Sequence, residues 1–420
     1  MAAGSGDRCV LAMSQTLHGP APYMTSGRIP ADIRRTEGID VLNEIRRRPP
    51  ARSTTRKWRS ATAGAALLGV GSIFAFGTGS PAGANATSVY RQTNLVSDIP
   101  GVARKTDSNL INPWGMSEFP NGPLWVSDNG SNVATIYTGD RAGSPLMAQP
   151  LVVKISGGAP DGQVFNPTSQ FMVKNGMASG AALFIFASEN GDISAWAPNV
   201  PTQPSGMLSD RAFKVFSDPN AVYKGLTIET SGLVPLLYAA NFRAGTIDVF
   251  DGNFHKVADA GRFIDPGLPP NYAPFDIANL GGKLYVTYAK QDAAKHDDVA
   301  GPGHGFVDVY SLDGVLLQRL VTRGDLNSPW GLVMATSDFG QFSNDLLVGN
   351  FGDGKVHAYD PMSGAMMGTL TNPDGDPIQI QGLWGLIFGD QAAGTQNTLF
   401  FSAGIVDEAH GLLGTLRAGS

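Results

Sequence analysis

From residue 89 onward the chain alternates short apolar runs with turns rich in Gly, Asn and Asp. No segment there keeps the spacing of an amphipathic helix. Six segments open on a turn and run into an apolar strand: NPWGMSE from Asn112, NPTSQFMV from Asn166, YKGLTIE from Tyr223, YAPFDIA from Tyr272, SPWGLVM from Ser328 and GLWGLIF from Gly382. With Trp114, Thr168, Lys224, Phe275, Trp330 and Trp384 taken as equivalent, the spacings are 54, 56, 51, 55 and 54 residues.

Each unit continues alike. A second apolar strand follows (PLWVSD, ALFIFAS, PLLYAAN, GKLYVTYA, DLLVGN, NTLFFSA), then a Gly-containing turn and a third strand (ATIYTG, DISAWA, GTIDVF, GFVDVY, GKVHAY, GLLGTL). A weaker fourth strand closes most units, as in PLVVKI (150–155), AFKVF (212–216) and VLLQRLV (315–321). β-Branched and aromatic residues bounded by turn formers are strand signals. Four antiparallel strands at a constant period predict an all-β fold, a six-bladed β-propeller of four-stranded antiparallel blades. The sixth unit lacks a fourth strand, and VYRQTNLV (89–96) is expected to supply it. That closure would remove the free edges of the ring.

Upstream the pattern changes. Residues 46–59 (RRRPPARSTTRKWR) are basic, residues 60–77 are apolar and small, and GSPAGANA ends at Ala86. A basic run, an apolar run and an Ala-x-Ala site predict a signal peptide over 46–86, cleaved near Ala86, and an exported protein, periplasmic or secreted. The alternative is an N-terminal membrane anchor, for which the apolar run is long enough. Residues 1–45 are read as an unstructured leader or as the product of a start codon placed too far upstream. The propeller is expected over 87–420.

Charge then narrows the partners. Residues 1–86 carry 11 Lys/Arg and 5 Asp/Glu, net +6, whereas the remainder carries 19 and 31, net −12. An acidic domain with scattered basic residues argues against nucleic acid, whose binding rests on phosphate neutralisation. The one cysteine, Cys9, lies in the leader, so the predicted domain has no disulfide or thiol chemistry. There is no nucleophile elbow and no phosphate-cradling Gly loop opening a helix.

The segments NPWG (112–115), WVSDNGS (125–131), AKQDAAKHDDVAGPGHGFVDVY (289–310), SPWGL (328–332), GNFGDG (349–354) and DEAHGL (407–412) carry a resemblance. Together they resemble the six-bladed propellers of the NHL and strictosidine-synthase/senescence-marker group, and more closely an uncharacterised family of exported bacterial proteins of that type. The resemblance covers about residues 90–420. It implies fold and export, and no catalytic residues.

In a propeller the turns before the first strand and after the second share one face, here termed the top. The first set supplies Asn112, Asn166 and Asn327. The second supplies Asp128, Asn129, Glu189, Asn190, Asn241, Arg243, Asn350 and Asp353. Of these, Asn112, Asp128, Asn166, Glu189, Asn241, Asn327 and Asn350 are the candidate ligand-binding residues, although turn chemistry alone accounts for any one Asn or Asp there. Two connections are longer than turns require. The fourth unit carries His296, Asp297, Asp298 and His304, and the sixth carries Asp407, Glu408 and His410. His with carboxylates suggests a divalent cation, Zn²⁺ or Ca²⁺, bound by His296, Asp297, His304, Asp407, Glu408 and His410, although solvated loops explain the same residues. The Trp114, Trp330 and Trp384 anchors are read as packing, and His255 and His357 as ordinary strand residues.

Two functions compete. The first is a monomeric binding module whose top face takes an extracytoplasmic protein, a glycan or a small ligand, touching a membrane only through an uncleaved leader. The second is a metal-dependent hydrolase of lactonase type. It would draw on Asn112, Glu118, Asn166, Asp276 and Asn327, with His296, His304 and His410 from the loops.

Overall fold

The computed structural model describes residues 89–419 apart from 142, 205–206, 233 and 259–261. The leader expectations over 1–45 and 46–86 lie outside the described residues. Among those residues the chain forms strands and two short 3-10 turns, Asn129–Ser131 and Gly340–Phe342. The fold is all-β and propeller-like, built of antiparallel sheets.

Each unit opens on a leading strand: Pro113–Ser117, Pro160–Phe165, Tyr223–Glu229, Tyr272–Leu280, Pro329–Met334 and Leu383–Phe388. Three further strands follow each of the third, fourth and fifth, giving three four-stranded sheets. The first two units merge into one sheet, because Val153–Ile155 pairs in parallel with Arg211–Ser217 through Arg211↔Lys154 and Ala212↔Ile155. The last unit runs Leu383–Phe388, Leu399–Ile405, His410–Ala418 and then accepts Tyr90–Ser97 on its outer side, from Tyr90↔Ala418 to Ser97↔Leu412. The N-terminal described strand therefore completes the C-terminal sheet, as its alternating pattern predicted.

Every leading strand breaks register at one place. The irregularities fall between Pro113 and Met116, Tyr223 and Leu226, Pro274 and Asp276, Pro329 and Leu332, and Leu383 and Leu386; in the second unit the break lies opposite Pro160–Gln163. Such a bulge turns a side chain out of the strand's alternation. Here the residues carried by the break are Trp114, Asp161, Lys224, Phe275, Trp330 and Trp384. In five units a glycine follows that residue, and it meets backbone of the next unit. A Cβ on Gly162 would lie 2.5 Å from the Leu226 nitrogen, one on Gly331 2.6 Å from the Trp384 carbonyl, and one on Gly385 2.5 Å from the Trp114 carbonyl. The last contact joins the final unit to the first.

This corrects the second unit. Its leading strand is Pro160–Phe165, and the residue equivalent to Trp114 is Asp161, not Thr168. Ala159 takes the left-handed φ of 38° that Asn112 (46°), Ser328 (48°) and Gly382 (64°) take two residues before their own anchors. The Asn166-Pro167 turn, which reads like Asn112-Pro113, belongs to the loop beyond the leading strand. A hairpin, Met172–Asn175 with Ala178–Ala181, follows it and lengthens this unit's first connection.

Apolar clusters fill the spaces between neighbouring sheets. Another lies where the leading strands converge: Trp114, Phe242, Phe275, Trp330 and Trp384, with Phe351 against them. Trp384 is stacked between Trp114, at 3.4 Å between ring centroids, and Phe351, at 3.9 Å. The packing role expected of the tryptophans is what these contacts describe.

Candidate functional site

The backbone sorts side chains onto the end where the leading strands begin. In four units the residue after the second strand donates its N–H to the residue two before the anchor: Asn129 to Asn112, Glu189 to Ala159, Phe242 to Val222 and Phe351 to Ser328; in the last unit Gly404, inside the second strand, donates to Gly382 in the same way. Each unit thus offers two positions at this mouth, the anchor and the residue after the second strand. Around one arc they are Trp114 with Asn129, Asp161 with Glu189, and Lys224. Around the other they are Phe242, Phe275, Trp330, Phe351 and Trp384.

The polar arc is a connected network. The Asn129 amide donates to Asp161 Oδ1 at 2.7 Å and to Glu189 Oε2 at 2.9 Å. Lys224 Nζ donates to Glu189 Oε1, stands 4.0 Å from Asp297 Oδ1, and lies 4.7 Å from the centroid of the Trp114 ring. The Asn112 amide donates to Glu408 Oε2 at 2.9 Å, and its carbonyl accepts from Trp384 Nε1 at 3.2 Å. Asp161 and Lys224 are buried, at 0% and 1% exposure, so water does not screen them.

Burial and the Glu189 charge push the Asp161 carboxyl well up, and its Oδ2 has no hydrogen-bond partner. Burial also works to raise Glu189, but the Lys224 ammonium outweighs it and holds that carboxyl below its usual range. Burial alone would lower Lys224; Glu189 and Asp161 reverse this and keep the ammonium charged. Two carboxyls joined through one amide are therefore driven in opposite directions, Asp161 toward the acid and Glu189 toward the carboxylate.

The two long connections close over this network. In 290–305, Asp292 Oδ1 accepts from the His296 N–H at 2.9 Å, and the Asp292 N–H donates to the Asp297 carbonyl at 2.8 Å. That internal turn delivers His296 and Asp297 to the polar arc, with His296 Nδ1 2.8 Å from Asp297 Oδ1. Asp298 is pushed up by burial. In the other connection Val406, Asp407 and Glu408 are all left-handed, with φ of 57°, 52° and 67°, an arrangement uncommon for residues with side chains. It turns Glu408 inward, where burial raises its carboxyl against the Asn112 hydrogen bond.

The structure thus brings together Asn112, Glu189, His296, Asp297 and Glu408 of the expected residues. Asn327 lies under the loop, its Oδ1 accepting from the Gly301 N–H at 2.6 Å. The remaining expected residues serve local geometry. Asn241 bonds the Val222 and Ala244 N–H groups and Asp248, Asn350 bonds the Asp325 carbonyl and Asp353, and Asp128 is buried in its strand with a strongly raised carboxyl. Asn166 falls at the opposite end of its leading strand and bonds the carbonyls of Gln170 and Ala182. His304 faces the Val299 carbonyl at 2.7 Å, Asp407 is exposed, and His410 faces Asp98 at 2.6 Å, away from His296. Glu118 follows the first leading strand, at its far end from Asn112, where burial and Asp390 push it up to about 9. Asp276 follows Phe275 inside its strand, raised by burial. The lactonase-type set is therefore divided between two ends of the molecule.

Sequence reasoning missed Asp161 and treated Lys224 only as a repeat anchor. The signal available was the pair Asp161-Gly162, which matches Trp114-Gly115 and Lys224-Gly225.

No protein-family model matches the chain. It is similar to the uncharacterized protein R648 of Acanthamoeba polyphaga mimivirus, 32% identical over 79% of this chain and 81% of that one. It is also similar to the uncharacterized protein L690 of the same virus, 31% identical over 79% and 86%. These relatives are viral, so the bacterial origin that the resemblance implied has no support from them. Among solved structures, a streptogramin B lyase aligns with 79% of this chain and 98% of its own, at 11% identity and a TM-score of 0.42. Among the described residues no helix is long and apolar enough to cross a membrane.

Proposed function

We propose that this chain, which belongs to the family of the mimivirus proteins R648 and L690, is a six-bladed propeller that binds a small, positively charged polar ligand at the mouth formed by Asn112, Asn129, Asp161, Glu189, Lys224 and Glu408. The blade count is supported by the leading strands, which contact one another in ring order, with Leu383–Phe388 meeting Pro113–Ser117. The six register breaks and the glycines behind them support the same count.

One observation carries the binding reading. Asp161 is fully buried with an oxygen that nothing in the fold satisfies, beside the buried Lys224 and its ion pair with the partly buried Glu189. Burying such groups costs several kcal/mol unless partners compensate, and apolar residues at the same positions pack well, as the opposite arc illustrates. Groups kept against that cost mark a functional site. Its ligand is expected to be positive, because five carboxyls, those of Asp161, Glu189, Asp297, Asp298 and Glu408, meet here, and a bound cation would give a partner to the ionised form of those that burial pushes up. A small ligand suits this enclosed polar arc better than a protein or glycan. Export with cleavage near Ala86 remains part of the proposal.

The test is a thermal-shift screen of the full chain against polyamines, amino sugars and guanidinium compounds, with neutral oligosaccharides alongside. The reading expects stabilisation by cationic compounds that falls at least tenfold in potency in Asp297→Ala and is unchanged in Glu118→Gln at the far end. Binding indifferent to Asp297, or confined to neutral compounds, would overturn it.

A further inference from the structure

We infer that the mouth holds a divalent transition-metal ion between Glu189, His296 and Asp297, with Lys224 as a built-in competitor for the same position. The inference rests on the ligand-binding reading above and names its charged ligand.

The donor atoms of Glu189, His296 and Asp297 all lie within 4.8 Å of one another. They come from separate elements: Glu189 follows the strand Phe184–Ser188, whereas His296 and Asp297 ride on the connection after Lys283–Lys290. An ion there would tie that connection to the ring. The donors are held ready without an ion, because Asp292 fixes the His296 backbone and Asn129 orients Glu189. One imidazole and two carboxylates suit a first-row ion such as Zn²⁺ or Mn²⁺ better than Ca²⁺, which takes six to eight oxygens. The side chains of His296 and Asp297 are 38% and 67% exposed, so an ion can enter from solvent and water can complete its coordination.

A second observation is independent of the cluster. The orphan oxygen of buried Asp161 belongs to the carboxyl that shares the Asn129 amide with Glu189. Outer groups of this kind orient metal ligands and tune their charge. Asp161 is fully buried with this oxygen unpartnered, and a bound cation next to Glu189 gives its negative form a partner.

Lys224 sets the affinity. Its ammonium bonds Glu189 and stands 4.0 Å from Asp297, so it occupies the electrostatic position an ion would take. Binding requires the ammonium to withdraw along the Trp114 face, where its charge is still stabilised. The chain thus carries a resident cation that an incoming divalent ion must displace.

The experiment uses full chain stripped with chelator, titrated with Zn²⁺ and then Mn²⁺ and Ca²⁺, followed by calorimetry and by melting temperature. Expected are one Zn²⁺ per chain, a raised melting temperature, at least tenfold weaker binding in His296→Ala, and at least tenfold tighter binding in Lys224→Met. Co²⁺ absorbance gives a second readout, with a spectrum that changes in His296→Ala. Should Lys224→Met fail to fold, His296→Ala on an exposed connection still decides the matter. Absence of Zn²⁺ binding, or binding unchanged in His296→Ala, overturns the metal assignment. If organic cations still bind and lose potency in Asp297→Ala, the wider ligand-binding reading survives that result; if they do not, both fall.

Discussion

The two arcs of the mouth are built on the same backbone positions and filled with opposite chemistry. On one arc the anchors and their neighbours are Trp330, Trp384, Phe275 and Phe351, stacked edge and face on one another. On the other they are Asp161, Glu189, Lys224 and Asn129, joined by hydrogen bonds and an ion pair. The bulge aims both sets at the axis, so backbone geometry does not discriminate between them. Aromatic residues there supply ordinary core energy. The polar set forgoes that energy and adds a desolvation cost, and the difference between the arcs therefore supports the proposed site more firmly than any single residue does.

The contrast can be broken from either side. Trp384→Ala removes the ring sandwiched between Trp114 and Phe351 and is expected to cost about 4 kcal/mol, measured by chemical denaturation. Lys224→Met leaves Glu189 buried without its cation and is expected to cost about 3 kcal/mol. Adding Glu189→Gln to that variant should recover a large part of the loss, because it removes the stranded charge. A double change as costly as the sum of its parts would show that the pair is not coupled, and the polar arc would then be no network.

The register correction gives a smaller effect. Gly162→Ala places a methyl group 2.5 Å from the Leu226 nitrogen and 2.7 Å from the Lys224 carbonyl, both backbone atoms. It should cost about 2 kcal/mol, whereas Thr168→Ala should cost less than about 1 kcal/mol. The reverse order would restore Thr168 as the anchor. The smallest effect concerns the far end of the ring. Glu118 is raised from its ordinary value to about 9, so the folded chain holds a proton there that the unfolded chain releases above its own lower value. Its contribution to stability is fully present at acid pH and is lost as pH rises toward 9. Glu118→Gln should therefore be more stable than the parent at pH 8, by about 1 kcal/mol after allowance for its partial exposure. The gap should close toward pH 4.5, and a pH series of melts reads it directly.

Five of the leading strands were legible because their anchors or flanking residues are apolar and their turns carry Pro or Gly. Lys224 was found by spacing alone, since Tyr223 and Leu226 flank it in a strand-like run. The second unit was misplaced because Asn166-Pro167 copies the local chemistry of Asn112-Pro113, and a β-turn signal does not say which end of a strand it belongs to. Asp161 then carried no hydrophobic signal by which to find the proper register. Of the candidate site, Glu189, His296 and Asp297 were legible as turn and loop residues. Their convergence was not, because it depends on a fold of the 290–305 connection that Asp292 dictates from within. A charged residue at a repeat position otherwise held by tryptophan was the clearest warning, and Lys224 gave it.

The pairing of Tyr90–Ser97 with His410–Ala418 has a consequence for the order of events in folding. The strand that a ribosome releases first among these must wait, unpaired, until the strand made last has emerged. The sheets of the third, fourth and fifth units can form from neighbours in sequence, but this ladder joins residues more than 300 positions apart, the kind of contact that closes slowly. Until it closes, the ring is an open arc with two adhesive ends. The mouth network, which takes Asn112 from the first unit and Glu408 from the last, cannot be completed before that moment. Completion of the mouth network therefore depends on the ladder between Tyr90–Ser97 and His410–Ala418.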